Sequence, residues 1–149
     1  MKSFKWLAIC LLMILSVGVI TLFGCSEKID CDYFVIYGST AVERYSDKVI
    51  SSTEELQEFT GGANSEYFEK YGEKFFEDNK LVFINVDVTS LYPEIKVTNV
   101  KLSNNTLEVT ATAEYKGFTA SALGVADIVL ELGKDIKFDN IKFNAEVKY

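Results

Sequence analysis

A two-residue turn at Asn104–Asn105 constrains the fold more than any other feature of the sequence. Apolar and polar residues alternate on both sides of this turn. A two-residue loop therefore pairs Leu102 with Leu107 and Val100 with Val109 on one face of a hairpin. The sequence thus predicts an antiparallel ladder with one apolar face.

The same register also predicts an irregularity further along the hairpin. Continued without interruption, it would place Ile95 opposite Glu114. One extra residue near Thr98 or Asn99 places Ile95 opposite Ala113 instead, which keeps apolar side chains on one face. We therefore predict a β-bulge at one of these two positions.

Other strands are indicated by runs of β-branched and aromatic residues. The run 81–88 begins apolar on both faces, so we expect this strand to be central in its sheet. The change of parity at Asp139–Asn140 predicts a kink there or the start of a new strand. The predicted strands are 33–37, 81–88, the hairpin around residue 104, 127–132 and the segment that follows 136.

Two short helices are predicted between the first strands. Ser52 and Glu55 have the spacing of a capping box, which begins a helix over about 53–60, and Gly61–Gly62 ends it. A second helix over about 65–77 has Tyr67, Phe68 and Tyr71 on its inner side. We expect Gly72 to interrupt this helix and Phe75-Phe76 to pack as one more turn. The predicted class is α+β: a mainly antiparallel, twisted sheet of about five to six strands with both helices on one face.

The first 24 residues are predicted to be an export signal and are left out of the fold. Two lysines precede an uncharged apolar stretch, 6–23, and Leu22-Phe23-Gly24-Cys25 resembles the lipobox of bacterial lipoproteins. We expect cleavage after Gly24 and a lipid on Cys25. The mature chain then has a lipidated N-terminus and spacer, 25–32, and a single globular domain, 33–149.

An uncleaved signal anchor is the alternative, because the apolar stretch lies at the lower limit for crossing a bilayer. Both alternatives place the domain outside the cytoplasm. The diacylglyceryl group of a lipoprotein supplies two acyl chains, which is enough for stable attachment.

Charge and cysteine content exclude several classes of partner. Without the signal, 13 basic and 22 acidic residues give a net charge of −9, which argues against nucleic acid. Cys31 is left without an internal disulfide partner if Cys25 is lipidated. Three possibilities stay open: an inert thiol, a cross-link to another protein, or a Cys25–Cys31 disulfide in a chain that is not lipidated.

The chain contains no histidine, which excludes histidine-dependent triads, histidine-ligated zinc and histidine base catalysis. No serine–lysine motif, phosphate-binding loop or dinucleotide fingerprint is present either. We therefore predict a protein that is not an enzyme and that has no cofactor.

Carboxylates are numerous enough to offer pairs for acid–base work or for calcium. The acids of the helical region have the spacing of solvated helix faces, and Lys70 follows Glu66 at the spacing of a helical ion pair. Asp30 with Asp32, and Asp135 with Asp139, lack the ordered pattern of a calcium loop. We predict neither a catalytic pair nor a metal site.

Exposed aromatic residues are the remaining candidates for binding. The only tryptophan, Trp6, lies in the signal, which lowers the expectation of a carbohydrate site. Tyr92 lies beside the single proline, and Phe118 and Thr119 lie in a stretch of small residues. We predict these three residues as contacts for a partner.

A resemblance to known lipoproteins adds to this interpretation. The run 49–56, followed by Tyr67, Tyr71, Phe75-Phe76 and 81–84, resembles uncharacterised lipoproteins of low-GC Gram-positive bacteria. More distantly, residues 49–147 are similar in arrangement to the protease-complex subunit PrcB family. That resemblance implies a lipoprotein that associates with and stabilises an extracellular protease. It rests on hydrophobic pattern and implies no site residue.

The sequence therefore predicts a lipid-anchored protein on the outer face of the bacterial cytoplasmic membrane. Its expected function is that of a non-enzymatic accessory module that binds another extracytoplasmic protein or peptide, at an exposed sheet edge or at the 117–126 loop. A small-molecule or cation-binding lipoprotein is the alternative, and a carboxylate-based hydrolase is the third possibility.

Overall fold

The structure, a computed structural model, describes residues 26–38, 41, 45–62, 65–88, 93–115 and 124–148. These residues form eight strands and three short helices, and the predicted α+β class is confirmed. In chain order the elements are β1 (Glu27–Lys28), β2 (Asp32–Tyr37), β3 (Asp47–Ile50), α1 (Thr53–Thr60), α2 (Ser65–Phe68), α3 (Glu73–Asp78), β4 (Asn79–Val88), β5 (Glu94–Ser103), β6 (Thr106–Glu114), β7 (Gly124–Gly133) and β8 (Asn140–Lys148).

The strands form two sheets of four, so the prediction of one sheet with five to six strands is wrong. Sheet A has the order β1-β5-β6-β8, and sheet B has the order β2-β7-β4-β3. Neighbouring strands are antiparallel except β6 and β8, which run parallel. The chain crosses from β6 to β7 in the other sheet and then returns to sheet A. Of the two predicted alternatives at Asp139–Asn140, a kink or a new strand, the structure has the new strand, because β8 begins at Asn140. The strand predicted at Ile136 and Phe138 is wrong, because these residues lie outside any strand.

The two sheets pack face to face across the larger hydrophobic core. Alternation along each strand sends every second side chain into this layer. The buried residues of this core come from both sheets: Val82, Ile84, Val88, Ile95, Val100, Leu107, Val109, Ala111, Ala126, Ile128, Leu130 and Leu132.

The helices cover the other face of sheet B, which makes sheet B the middle of three layers. Phe83 and Val129 are fully buried there and belong to a second core with Leu56, Phe68 and Phe76 from the helices. Because β4 and β7 bury both faces, they are the central strands of sheet B. The predicted central position of the strand 81–88 is confirmed.

The first helix follows the prediction closely. The Ser52 hydroxyl accepts a hydrogen bond from the Glu55 N–H at 3.1 Å, and the Glu55 carboxylate accepts one from the Ser51 N–H at 2.7 Å. Gly61 ends α1 with a φ of 58°, in the left-handed region. The predicted helix over 53–60 is therefore confirmed. The second hydrogen bond of its cap differs from the usual capping box, because the Glu55 carboxylate accepts from the N–H of Ser51 and not from that of Ser52.

The predicted interruption of the second helix at Gly72 is confirmed, because the segment 65–77 forms two short helices, α2 and α3. Gly72 interrupts it with an extended backbone, φ −88° and ψ −176°, and precedes α3. Glycine is costly inside a helix, and this break lets Tyr71 and Phe76 both reach sheet B. Of the predicted inner residues, Phe68 and Tyr71 are buried, whereas Tyr67 is exposed.

The hairpin and its bulge are both confirmed. Asn104 and Asn105 have φ values of 49° and 57°, as the type I′ turn of a two-residue hairpin requires. The register of β5 against β6 shifts between Val97 and Asn99, so Thr98 is the extra residue. The bulge keeps the apolar side chains of β5 directed at the inter-sheet core.

The segment before β2 is part of sheet A. β1, Glu27–Lys28, pairs antiparallel with Leu102 and Lys101 of β5. The Ile29 N–H then donates to the Val100 carbonyl at 2.9 Å. The stretch predicted as a spacer therefore contributes a strand to the fold.

Candidate functional site

A groove of about 610 Å³ follows β2, and we call it the edge groove. In the described part of the chain β2 lies at the edge of sheet B and pairs with β7 alone. The edge groove is lined by consecutive residues of β2, by residues of α2 and the turn after it, and by one residue of β7: Asp32, Tyr33, Phe34, Val35, Glu66, Tyr67, Glu69, Lys70 and Glu131.

The edge groove extends around the outer edge of β2 because successive side chains of a strand point to opposite faces. Phe34 packs against the core under the helices, whereas Val35 packs against the inter-sheet core. Both residues line the groove. β2 therefore contributes side chains from both of its faces to the edge groove.

Aromatic rings form one wall of the edge groove. The Phe34 ring stacks on Tyr67 at 6.5 Å and on Tyr71 at 6.1 Å between ring centroids. Tyr67 is 44% exposed and Tyr33 is 38% exposed, whereas Tyr71 is 2% exposed. The groove thus combines a buried aromatic base with accessible aromatic rings, a combination typical of binding surfaces.

Glu131 lies at the centre of the polar contacts in the groove. One of its oxygens, Oε1, accepts from Lys70 Nζ at 2.7 Å and from the Tyr71 hydroxyl at 2.6 Å. Burial, followed by the hydrogen bond to Glu131, raises the pKa of Tyr71 well above its usual range. Asp32 lies directly across from Glu131 in the β2–β7 ladder.

Negative charge dominates the edge groove. Its lining contains four carboxylates, those of Asp32, Glu66, Glu69 and Glu131, and one ammonium, that of Lys70. Lys70 pairs with Glu131 across the groove rather than with Glu66 at helical spacing. The excess of carboxylates favours a positively charged ligand.

A second cavity, the inter-sheet cleft, has a volume of about 240 Å³ between the ends of the two sheets. Small side chains such as Ala111 and Ala113 leave this space between larger ones. Residues 89–92 and 116–123 lie outside the described residues. The cleft is lined by Asn85, Val86, Asp87, Val88, Ile95, Ala111, Thr112, Ala113, Tyr115, Phe143, Ala145 and Val147.

The site residues predicted from the sequence lie outside the part of the chain that the structure describes. They are Gly24 and Cys25, predicted for cleavage and lipidation, and Tyr92, Phe118 and Thr119, predicted as partner contacts. None of the edge-groove residues was predicted as a site.

Cys31 lies immediately before β2 and packs partly against the inter-sheet core. Burial raises the pKa of its thiol, and the carboxylates of Asp32, Asp30 and Glu131 raise it further. A thiol in such surroundings is a weak nucleophile at neutral pH.

The acidic residues of the helical region are exposed and spread over the helix surfaces. Asp127 is fully buried in sheet B, where its carboxylate accepts from the Asn85 amide at 2.6 Å. Among the residues that the structure describes, no three acid or thiol side chains converge to hold a metal ion. No helix in those residues is long and apolar enough to cross a membrane.

The edge groove was missed because sequence reasoning treats each element by itself. By itself Phe34 indicates a buried strand, and Lys70 indicates a solvated helix face. Glu131 gave one usable signal: a carboxylate between Leu130 and Leu132 in a strand that is otherwise buried. Such a residue needs a partner, and here the partners are Lys70 and the Tyr71 hydroxyl.

Fold and groove together define a three-layer α+β domain with an acidic, aromatic groove along a sheet edge. Comparisons with family models, with curated proteins and with solved structures found no match to this chain. The resemblance to lipoproteins and to the PrcB family therefore stays a prediction.

Proposed function

We propose that this chain is the precursor of a lipoprotein whose mature domain binds an extended segment of another extracytoplasmic protein in the edge groove. The domain acts as a non-enzymatic accessory module, held by a lipid on Cys25 at the outer face of the cytoplasmic membrane. The observation that carries the proposal is the groove itself. It brings together the outer edge of β2, accessible aromatic rings and an excess of carboxylates.

Strand addition is the binding mode that this geometry supports. An extended segment placed along β2 pairs its backbone with the outer edge of the strand, and its alternate side chains enter the groove. Tyr33 and Tyr67 supply large, stiff contact surfaces on the two sides of the edge. Affinity then comes from backbone hydrogen bonds, and selectivity comes from the side chains that the groove accepts.

Charge complementarity specifies the partner segment further. Four carboxylates and one ammonium line the groove. The segment that fits carries lysine or arginine at alternate positions, with apolar residues between them. Because exposed charges contribute, binding weakens as salt concentration rises.

Peptide display on the full chain in detergent tests this proposal. We expect enrichment of extended, basic peptides whose binding is at least about tenfold weaker to the Tyr67→Ser variant, since aromatic anchors often contribute more than 1.4 kcal/mol. Gln57→Ser is the control, because Gln57 is an exposed residue of α1 that lines neither the edge groove nor the inter-sheet cleft. The proposal fails if no peptide is enriched, or if the enriched peptides bind both variants equally well.

The anchor is tested separately by mass spectrometry of the membrane fraction. We expect a mature chain that starts at a lipid-modified Cys25, and loss of that species in a Cys25→Ser variant. A chain that retains Met1 contradicts the lipoprotein assignment and leaves the uncleaved anchor as the alternative.

A second candidate function is binding of a small apolar molecule in the inter-sheet cleft. The supporting observation is a cavity with mostly apolar walls and polar groups such as Asn85 and Thr112 among its lining residues. Its volume of about 240 Å³ exceeds the roughly 150 Å³ that suffices for benzene. Titration with indole should shift the amide signals of Val88 and Ala113, and Ala111→Leu should weaken binding by filling the space. The absence of shifts excludes this candidate.

A further inference from the structure

We propose that the edge groove contains a site for a primary ammonium group, and that Lys70 of the chain itself occupies this site until the lysine side chain of a partner replaces it. The inference rests on the proposed function, because it names the side chain that the partner segment inserts. The residues that form the site are Phe34, Tyr71 and Glu131, which we call the ammonium cage.

The position of Lys70 shows the chemistry that the ammonium cage accepts. Lys70 Nζ lies 4.7 Å from the centroid of the Tyr71 ring and 5.7 Å from that of Phe34. It also lies 2.7 Å from Oε1 of Glu131. Two ring faces and a carboxylate around one nitrogen are the elements by which proteins recognise an ammonium ion.

The ammonium cage is held together without Lys70. Tyr71 is buried, and its hydroxyl donates to Glu131 at 2.6 Å. Phe34 stacks on the Tyr71 ring and contacts Phe68 at 6.4 Å between centroids. Glu131 extends from β7 with a side chain that is 20% exposed. Removal of the Lys70 ammonium therefore leaves a preorganised site.

Lys70, in contrast, is easily displaced. Its side chain is 63% exposed, and it belongs to the turn that follows α2. An ion pair with one partner so exposed contributes little to stability, and the long lysine side chain regains conformational freedom when it leaves. The residue thus acts as a tethered competitor for the ammonium cage.

Geometry favours lysine over arginine as the incoming group. Oε1 of Glu131 already accepts from both the Lys70 ammonium and the Tyr71 hydroxyl. A guanidinium prefers to bind both oxygens of a carboxylate in one plane, whereas an ammonium is a point donor. The cage as arranged matches a point donor.

Two probes that differ only in the ammonium group test the inference by amide NMR of the full chain in detergent. They are Nα-acetyl-lysine amide, which carries the ammonium, and Nα-acetyl-norleucine amide, which replaces it with a methyl group. We expect the Lys70→Ala variant to bind the lysine probe about three- to fivefold more tightly than the unaltered chain, the gain expected from removing an exposed competing pair. Shifts should centre on the amides of Phe34, Tyr71 and Glu131, and the norleucine probe should cause none of them.

Two further variants test the cage directly. Adding Glu131→Gln or Phe34→Leu to Lys70→Ala should each abolish the gain, while unchanged signals from Val109 in sheet A show that the fold is intact. The inference is overturned if Lys70→Ala binds no more tightly than the unaltered chain, if norleucine binds as well as lysine, or if both cage variants keep the gain.

The outcomes separate this inference from the proposed function. Enriched peptides that bind the edge groove, without any binding of the lysine probe, overturn the ammonium cage alone. Binding of the lysine probe without any enriched peptide overturns partner binding along β2 and leaves the cage standing.

Discussion

Replacement of Tyr71 by phenylalanine should change the stability of the domain in a pH-dependent way. At about pH 8 the change removes a hydrogen bond from a buried hydroxyl to the Glu131 carboxylate, a bond of 2.6 Å. Hydrogen bonds to charged groups contribute about 1.5–3 kcal/mol. We therefore expect the Tyr71→Phe variant to be less stable than the unaltered chain by about that amount near neutral pH.

The stability advantage of the unaltered chain over the Tyr71→Phe variant should shrink above about pH 10. Burial and the bond to Glu131 raise the pKa of Tyr71 in the folded chain, whereas in the unfolded chain the phenol has its ordinary pKa of 10.0. A group whose folded pKa is raised contributes its full stability below the unfolded pKa and loses it as pH rises further. At about pH 11, one unit above the pKa of Tyr71 in the unfolded chain, the free energy of unfolding of the unaltered chain has fallen by about 1.4 kcal/mol relative to that of the variant.

Urea denaturation followed by circular dichroism, at several values between about pH 8 and pH 11, measures this difference. Other titrating groups are present in both chains, so their contributions largely cancel in the comparison. Tyrosinate absorbance gives an independent check: Tyr71 should stay protonated at about pH 11, so the Tyr71→Phe variant should have the same tyrosinate absorbance as the unaltered chain at that pH. A stability difference that stays constant from pH 8 to pH 11 would refute the reasoning.

Three further predictions concern the core under the helices, the β-bulge at Thr98 and the thiol of Cys31. Phe83→Ala should destabilise the fold by about 3–5 kcal/mol in urea denaturation, because the fully buried ring extends from sheet B and packs against Phe59 and Phe68 of the helices. Deletion of Thr98 should leave Val97 opposite Ala111, since Thr98 is the extra residue of the bulge, and a loss of that pairing in NMR spectra would contradict the register. Iodoacetamide should modify Cys31 at least about tenfold more slowly in the folded chain than in concentrated urea, as measured by peptide mass mapping, because burial raises the pKa of the thiol.

Local features of this fold follow from the sequence because they depend on neighbouring residues. The turn at Asn104–Asn105 fixes the hairpin, and the apolar residues on either side fix its register and demand the bulge at Thr98. The cap at Ser52 and Glu55 likewise fixes the start of α1. In each case the interacting groups lie within a few residues, or across a ladder whose register is already set.

The division into two sheets depends on contacts between distant residues, which alternation does not specify. Ile141 and Phe143 indicate that one face of β8 packs against a core. They do not indicate that sheet B forms the other side of that core. One signal for the third layer is present: the run 81–84 within β4 is apolar on both faces, and a strand of this kind needs packing partners on each side of its sheet. The edge groove was beyond reach for the same reason, since Phe34, Lys70 and Glu131 come together only through the packing of α2 against β2 and β7.

If Cys25 carries the proposed lipid, the pairing of β1 with β5 determines how the domain is oriented at the membrane. Glu27 lies opposite Leu102, close to the turn of the hairpin, and only Ser26 separates it from Cys25. With a lipid on Cys25, the domain has no stalk, and the hairpin end of sheet A faces the headgroups. The ten residues of β5 span roughly 33 Å, so the inter-sheet cleft points away from the bilayer at about that height. Asp32 is seven residues from Cys25, which keeps the start of the edge groove within about 25 Å of the anchored residue. A partner bound in the proposed way would therefore have to present its segment close to the membrane surface, and a freely diffusing protein and a membrane-bound one would encounter the groove at very different rates.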